Sequence, residues 1–240
     1  EGKMKNSTKE IINEINTYRD ESKAAFLPRF FKTGKGEYGE GDQFIGVVVP
    51  NLRIVAKKHF DADFDTFREL LASPYHEYRL TALLALTYRY AKLKDHASRE
   101  TCVNFYVSQV DAINNWDLVD LSCYKILGHW LFDKDKQLLY DWAKENHLWK
   151  QRIAMISCMH FVKQGEFKDA LAIADLLQHH PHDLIHKAVG WILREIGKED
   201  EQLLIDYLTP RYKEMPRTML RYAIERFEEG KRKTFLNSMI

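Results

Sequence analysis

The chain has 240 residues, 45% of them apolar, enough to bury a sizeable core in one large domain or two small ones. Its 36 lysines and arginines are matched by 35 aspartates and glutamates, which excludes a polybasic protein, so any nucleic-acid surface must come from how the charges are arranged. No apolar run approaches the roughly 18 residues of a membrane span, and Cys102, Cys123 and Cys158 show no CxxC spacing and sit inside apolar helical patterns, as buried free thiols of a reducing compartment do.

Residues 7–22 read as a helix capped by Ser7 or Thr8, with Ile11, Ile12, Ile15 and Tyr18 on one face. A second short helix carries Ala25, Phe26, Phe30 and Phe31. Residues 33–43, TGKGEYGEGDQ, then predict a loop or hairpin tip, followed by the strand-like FIGVVV and by Pro50, which starts a helix over 51–60. Gly34, Gly36 and Gly39 spell GxGxxG, but a dinucleotide fingerprint needs a strand before the glycines and a helix after them. The order here is the reverse, so a mobile or substrate-contacting loop is the better reading.

From residue 63 the pattern is periodic. First helices are expected near 63–72, 96–110, 135–145, 167–178 and 200–208, each followed by a second near 76–93, 115–131, 149–164, 183–196 and 217–228. Pairs recurring at roughly 32 to 41 residues are the signature of a HEAT-like α-solenoid, whose pairs bury their apolar faces only by stacking. The expected fold is therefore all-α, a single curved domain over 4–240 with a glycine-rich loop or hairpin near 33–49.

The stretch NNWDLVDLSCYKILGHWL, 114–131, places Trp116 and Asp120 one helical turn apart, behind Asn115 as a cap. Setting the second helices in register aligns Arg79, Asp120, Arg152, Lys187 and Arg221, four cations and one acid. That row is either a basic groove or a ladder of bonds between neighbouring repeats. On the fourth second helix, Trp191 and Arg194 again put an aromatic and a cation on one face. Elsewhere, HDLIH at 182–186 approaches the zinc motif HExxH, but Asp183 is a methylene shorter than the required Glu and no third ligand is evident. The run KRK at 231–233 reads as a solvated helix end.

NWDLVD at 115–120, WKQRIA at 149–154 and KAVGWILRE at 187–195 resemble the AlkD-type DNA alkylation repair glycosylases, built from HEAT-like helix pairs; FFKTGKGEYGEGDQFIGVVVPNLR at 30–53 supports the likeness, which covers nearly the whole chain. The resemblance implies release of N3- and N7-alkylated purines without extruding the base into a pocket. It implies Asp120 as the catalytic carboxylate, Trp116 and Trp191 flanking the lesion's sugar-phosphate, and Arg152 and Arg194 holding phosphates. The glycine-rich connection is longer than in the best-known members, which carry a tyrosine near the place of Phe30.

Such chemistry suits these residues. Alkylation at N3 or N7 makes the purine a cationic leaving group, so the protein needs to stabilise the positive charge growing on the deoxyribose and to position water. A carboxylate does both, indole faces add cation–π attraction, and neither metal nor cofactor is called for. The partner implied is double-stranded DNA carrying alkylated bases, met by a cytoplasmic monomer with no membrane contact; the opening EGKMKNSTKE lacks the apolar core of a signal peptide. A non-catalytic binder of damaged or branched DNA and a protein-binding scaffold remain open on the same fold.

Overall fold

The computed structural model describes residues 4–238, and all of its regular elements are helical. Among the described residues there is no strand, only an isolated bridge between Gln43 and Tyr75, and no helix is long and apolar enough to cross a membrane. The all-α class expected from the periodicity is the one observed. The chain divides into two compact units, Glu1–Ser122 and Cys123–Ile240.

In the first unit the organising element is the helix His76–Lys92, apolar through Leu80, Leu83, Leu84 and Leu86 and buried on nearly every side, as a core helix must be. The helices Val49–Lys58, Phe64–Leu71 and Trp116–Asp120 all pack on it. Asn6–Asn16 buries Ile11 and Ile15 beside the first two of these. Its expected caps do other work: the hydroxyl of Ser7 bonds that of Thr66 at 2.6 Å, and the Thr8 hydroxyl donates to the Glu69 carboxylate. The predicted 7–22 helix is also cut short, because the Asp20 carboxylate accepts from the amides of Ser22 and Lys23 and so starts a new helix, Glu21–Phe30.

The expected FIGVVV strand and its hairpin do not form: residues 44–48 belong to no regular element, Gly46 takes a φ of 85°, and Val49 already opens the helix Val49–Lys58. The amides of Ile45, Gly46 and Val47 donate instead to the buried Glu77 carboxylate at 3.1, 2.7 and 3.1 Å. One carboxylate thus satisfies donors that a neighbouring strand would otherwise take. Gly46 makes the turn possible, with φ at 85° and the Asp20 carbonyl oxygen only 1.9 Å from where a Cβ would stand.

The second unit keeps the repeat rhythm closely. Its second helices, Leu148–Lys163, Asp183–Glu199 and Arg217–Ala223, pack in sequence order, backed by Gln137–Lys144, Lys168–Leu177 and Glu201–Leu208. The backing helices are tied together by tyrosine hydroxyls donating to carboxylates, Tyr140 to Asp169 at 2.6 Å and Tyr207 to Asp175 at 2.9 Å. The three cysteines are buried thiols, none of them in a disulfide.

The predicted 115–131 helix is broken. After Trp116–Asp120 the Ser122 hydroxyl bonds back to the Leu118 carbonyl at 2.6 Å and its amide to Val119 at 3.2 Å, tightening the turn, and Tyr124–Gly128 then runs in π-helical geometry before His129–Leu131 resumes. Periodicity does not register such a break, since the apolar side chains keep their spacing on either side of it.

Candidate functional site

The five-residue helix Trp116–Asp120 is too short to stand alone, so its position is imposed from outside. Asn115 caps it as expected, its side-chain oxygen accepting from the Trp116 amide at 2.8 Å. Four residues apart, Trp116 and Asp120 then line the same cavity of about 340 Å³ in the first unit. Its other walls come from Phe30, Phe31 and Phe44, from the valines Val47–Val49, and from Leu52 and Leu80.

Beneath that helix lies a buried charge network. His76 binds Asp42 of the glycine-rich loop through Nδ1 at 2.6 Å and Asp117 through Nε2 at 2.7 Å. Arg79 donates to the other Asp42 oxygen at 2.9 Å and to Asn114 at 3.1 Å, and Asn115 donates to Asp42 at 3.2 Å. Burial by itself would push the imidazole toward neutrality, but the carboxylates of Asp117 and Asp42 outweigh it and raise His76 to about 9, so it is an imidazolium at neutral pH. Burial works against the Asp42 carboxylate too, and the charges of His76 and Arg79 overcome it and lower its pKa.

Aromatic rings extend the clamp to the cavity. Phe44 and Phe31 lie against His76 at centroid distances of 4.6 and 4.8 Å, Phe31 stacks on Trp116 at 5.2 Å and 18°, and Phe30 meets the indole edge-on at 6.0 Å. The indole is thereby held in one orientation. Phe30 itself remains 50% exposed and Val48 38%, so both stand at the rim.

Potential metal ligands meet elsewhere: oxygens of Glu10 and Glu14 and a His59 nitrogen lie within 4.8 Å of one another. Lys58 already pairs with Glu14 at 2.8 Å, and none of the three lines the cavity. In HDLIH, the His182 ring caps its helix by accepting from the Leu184 amide at 3.0 Å, and the His186 ring bonds the His180 carbonyl.

The profile of the family described as DNA alkylation repair enzyme matches residues 11–227. The chain belongs to this family. No curated protein matches it. Among solved structures, the chain is similar to one described as a predicted DNA alkylation repair enzyme from Enterococcus faecalis, with a TM-score of 0.67 and 13% identity over 88% of this chain and 97% of that one. It is also similar to AlkD2 from Streptococcus mutans, with a TM-score of 0.55 and 15% identity over 87% and 99% of the two chains. At these identities the likeness establishes the helical-repeat fold that the family shares.

Within that family frame, the remaining residues singled out from sequence lie in the second unit. Trp191 is half-buried on Asp183–Glu199. Arg194, on the same helix, is ion-paired with Glu225, and with Arg221 and Arg232 it lines a hollow of about 530 Å³. Arg152 is 5% exposed, and its Nη1 donates to the Leu184 carbonyl at 2.5 Å. The expected cationic row is therefore not uniform: Arg79 is buried in the Asp42 network, Lys187 pairs with Asp183 at 3.0 Å, and Arg221 is exposed. Sequence reading missed His76, Asp42 and Asp117. An Asp closing a glycine-rich loop and a His opening a helix were visible, but nothing in their spacing joined them.

Proposed function

We propose that this protein is a DNA glycosylase that hydrolyses the N-glycosidic bond of N3- and N7-alkylated purines in duplex DNA, as a step of base-excision repair. The observation that carries this reading is Trp116 and Asp120 lining one cavity, on a helix pinned in place by the His76 clamp. Asp120 would stabilise the positive charge developing on the deoxyribose and orient the attacking water, while the cationic purine departs without acid assistance. Trp116 contributes its ring face to the same charge, and Trp191 is assigned to the lesion's sugar-phosphate.

Arg194 is assigned to a backbone phosphate, supported by its place beside Arg221 and Arg232 around one hollow. The same task is proposed for Arg152, whose burial would offer a phosphate only the edge of the guanidinium. The deciding assay incubates the protein with DNA containing 7-methylguanine and separates released bases by chromatography. Asp120→Asn keeps the shape and removes the charge, so base release should fall roughly 100- to 1,000-fold while duplex affinity holds or rises, an anion having left a phosphate-binding surface. Wild-type protein that binds DNA and releases no alkylated base would refute the enzyme and leave a non-catalytic binder.

A further inference from the structure

We propose that the glycine-rich loop sets the position of the helix carrying Trp116 and Asp120, with Asp42 and His76 as positioning residues for base release. This rests on the glycosylase reading and gives the loop its part in the reaction. A five-residue helix does not hold itself, and the tight turn and π-helical stretch that follow separate it from any longer helix. One buried carboxylate supplies the hold. Oδ2 of Asp42 accepts from Nδ1 of His76 and from the side-chain amide of Asn115, the capping residue, while Oδ1 accepts from Arg79, which also reaches Asn114. His76 carries the connection on to Asp117 in the first turn. The two residues that precede the helix and its first acid are therefore tied to Asp42, and Asp42 belongs to the loop.

The loop is fastened around Asp42. The Asp42 amide donates to the Gly39 carbonyl at 3.0 Å and the Gln43 amide to Pro74 at 3.2 Å, and the His76 amide returns to the Gln43 carbonyl at 2.8 Å. Gly39 passes so close to the site that a Cβ there would stand 2.3 Å from the Phe31 carbonyl oxygen and 3.2 Å from Nδ2 of Asn115. Phe31 and Phe44, on the two sides of the loop, both lie against His76, and Phe31 stacks on the indole of Trp116. Within the network two cations, His76 and Arg79, meet two acids, Asp42 and Asp117, with no side chain more than 8% exposed. The other charged groups on the cavity wall beside His76 are Glu77, held by the amides of residues 45–47, Lys23, paired with Asp20, and Asp120. Apolar packing of the same volume often matches such a buried ion network in stability, so what the network adds is a fixed orientation. An indole face and a carboxylate acting on a developing charge need that, because a misplacement of about 1 Å can cost roughly a hundredfold in rate.

The test compares the full chain with Asp42→Asn and Gly39→Ala in single-turnover release of 7-methylguanine, in duplex affinity, and in fluorine NMR after labelling with fluorotryptophan, the Trp116 signal being assigned through Trp116→Phe. Asp42→Asn removes the charge at the centre of the network, whereas Gly39→Ala displaces the loop and alters no charge. Each should slow release roughly 10- to 100-fold with duplex affinity unchanged, at a temperature where melting shows the variant folded. The Trp116 resonance should shift or broaden in both, while those of Trp130, Trp142, Trp149 and Trp191 stay in place. With one of its two carboxylates gone, His76 gives up its proton at a lower pH, so release by Asp42→Asn should decline from pH 6 to 8, where the wild type holds steady. Folded variants that release base at the wild-type rate would overturn the proposal and leave the glycosylase standing. A wild type that releases no base removes the enzyme, and the Trp116 resonance then decides: a change in both variants upholds the loop's hold on the helix, and an unmoved signal refutes it.

Discussion

Deprotonating His76 should loosen the helix that carries Trp116 and Asp120, and pH is the perturbation that does so. The folded imidazolium titrates near 9 against an ordinary 6.5. At about 1.4 kcal/mol per pKa unit, that separation corresponds to roughly 3 kcal/mol of stability. Because the folded value is the higher one, the contribution is present in full below about 6.5 and is lost as pH rises through 9. For a chain of 240 residues, roughly 3 kcal/mol moves the melting temperature by about 6–12 °C. Lysines and tyrosines also titrate above 9, so the measurement is the difference in melting temperature between wild type and His76→Gln, followed from pH 6 to 10. It should be large at pH 6 and shrink steadily toward pH 10. A difference that stays constant over that range would mean that His76 is neutral in the fold, and the ionic clamp between Asp42 and Asp117 would be wrong.

Three further outcomes follow from particular residues. On the acid side, the lowered pKa of Asp42 means that its contribution is present above the ordinary carboxylate value and is lost as pH falls through the folded one, so Asp42→Asn should flatten the acid limb of the melting curve. Arg194→Ala should weaken binding to all duplexes and reduce the slope of log K against log salt by about one unit, measured by fluorescence anisotropy over a salt series; an unchanged slope would take Arg194 off the phosphate backbone. Gly46→Ala places a Cβ against the Asp20 carbonyl at a φ of 85° and should cost at least 2 kcal/mol, roughly, in urea unfolding, while Gly36→Ala, with open space around it, should cost less.

Helix class and repeat period were legible because they depend only on how apolar residues recur along the chain: Ile153, Ile156 and Ala154 on Leu148–Lys163, or Ala188, Ile192 and Leu193 on Asp183–Glu199, must face a core whatever it is made of. The pairing of Trp116 with Asp120 was legible for the same reason, four residues being about one turn. The cap at Asn115 was equally local. What the sequence could not reveal were contacts between residues far apart in it. Whether Arg79 faced solvent or an acid depended on where Asp42 would fall, 37 residues away, and only the folded chain brought the two to 2.9 Å. His76 joins Asp42 to Asp117 across 34 and 41 positions, so neither partner could be inferred from periodicity. The strand-like FIGVVV went the same way, because β-propensity favours extension but says nothing of the partner, and here the partner was the single carboxylate of Glu77 on a helix. Local spacing determined which side chains share a face, and tertiary packing alone decided which of those faces became core, clamp or cavity.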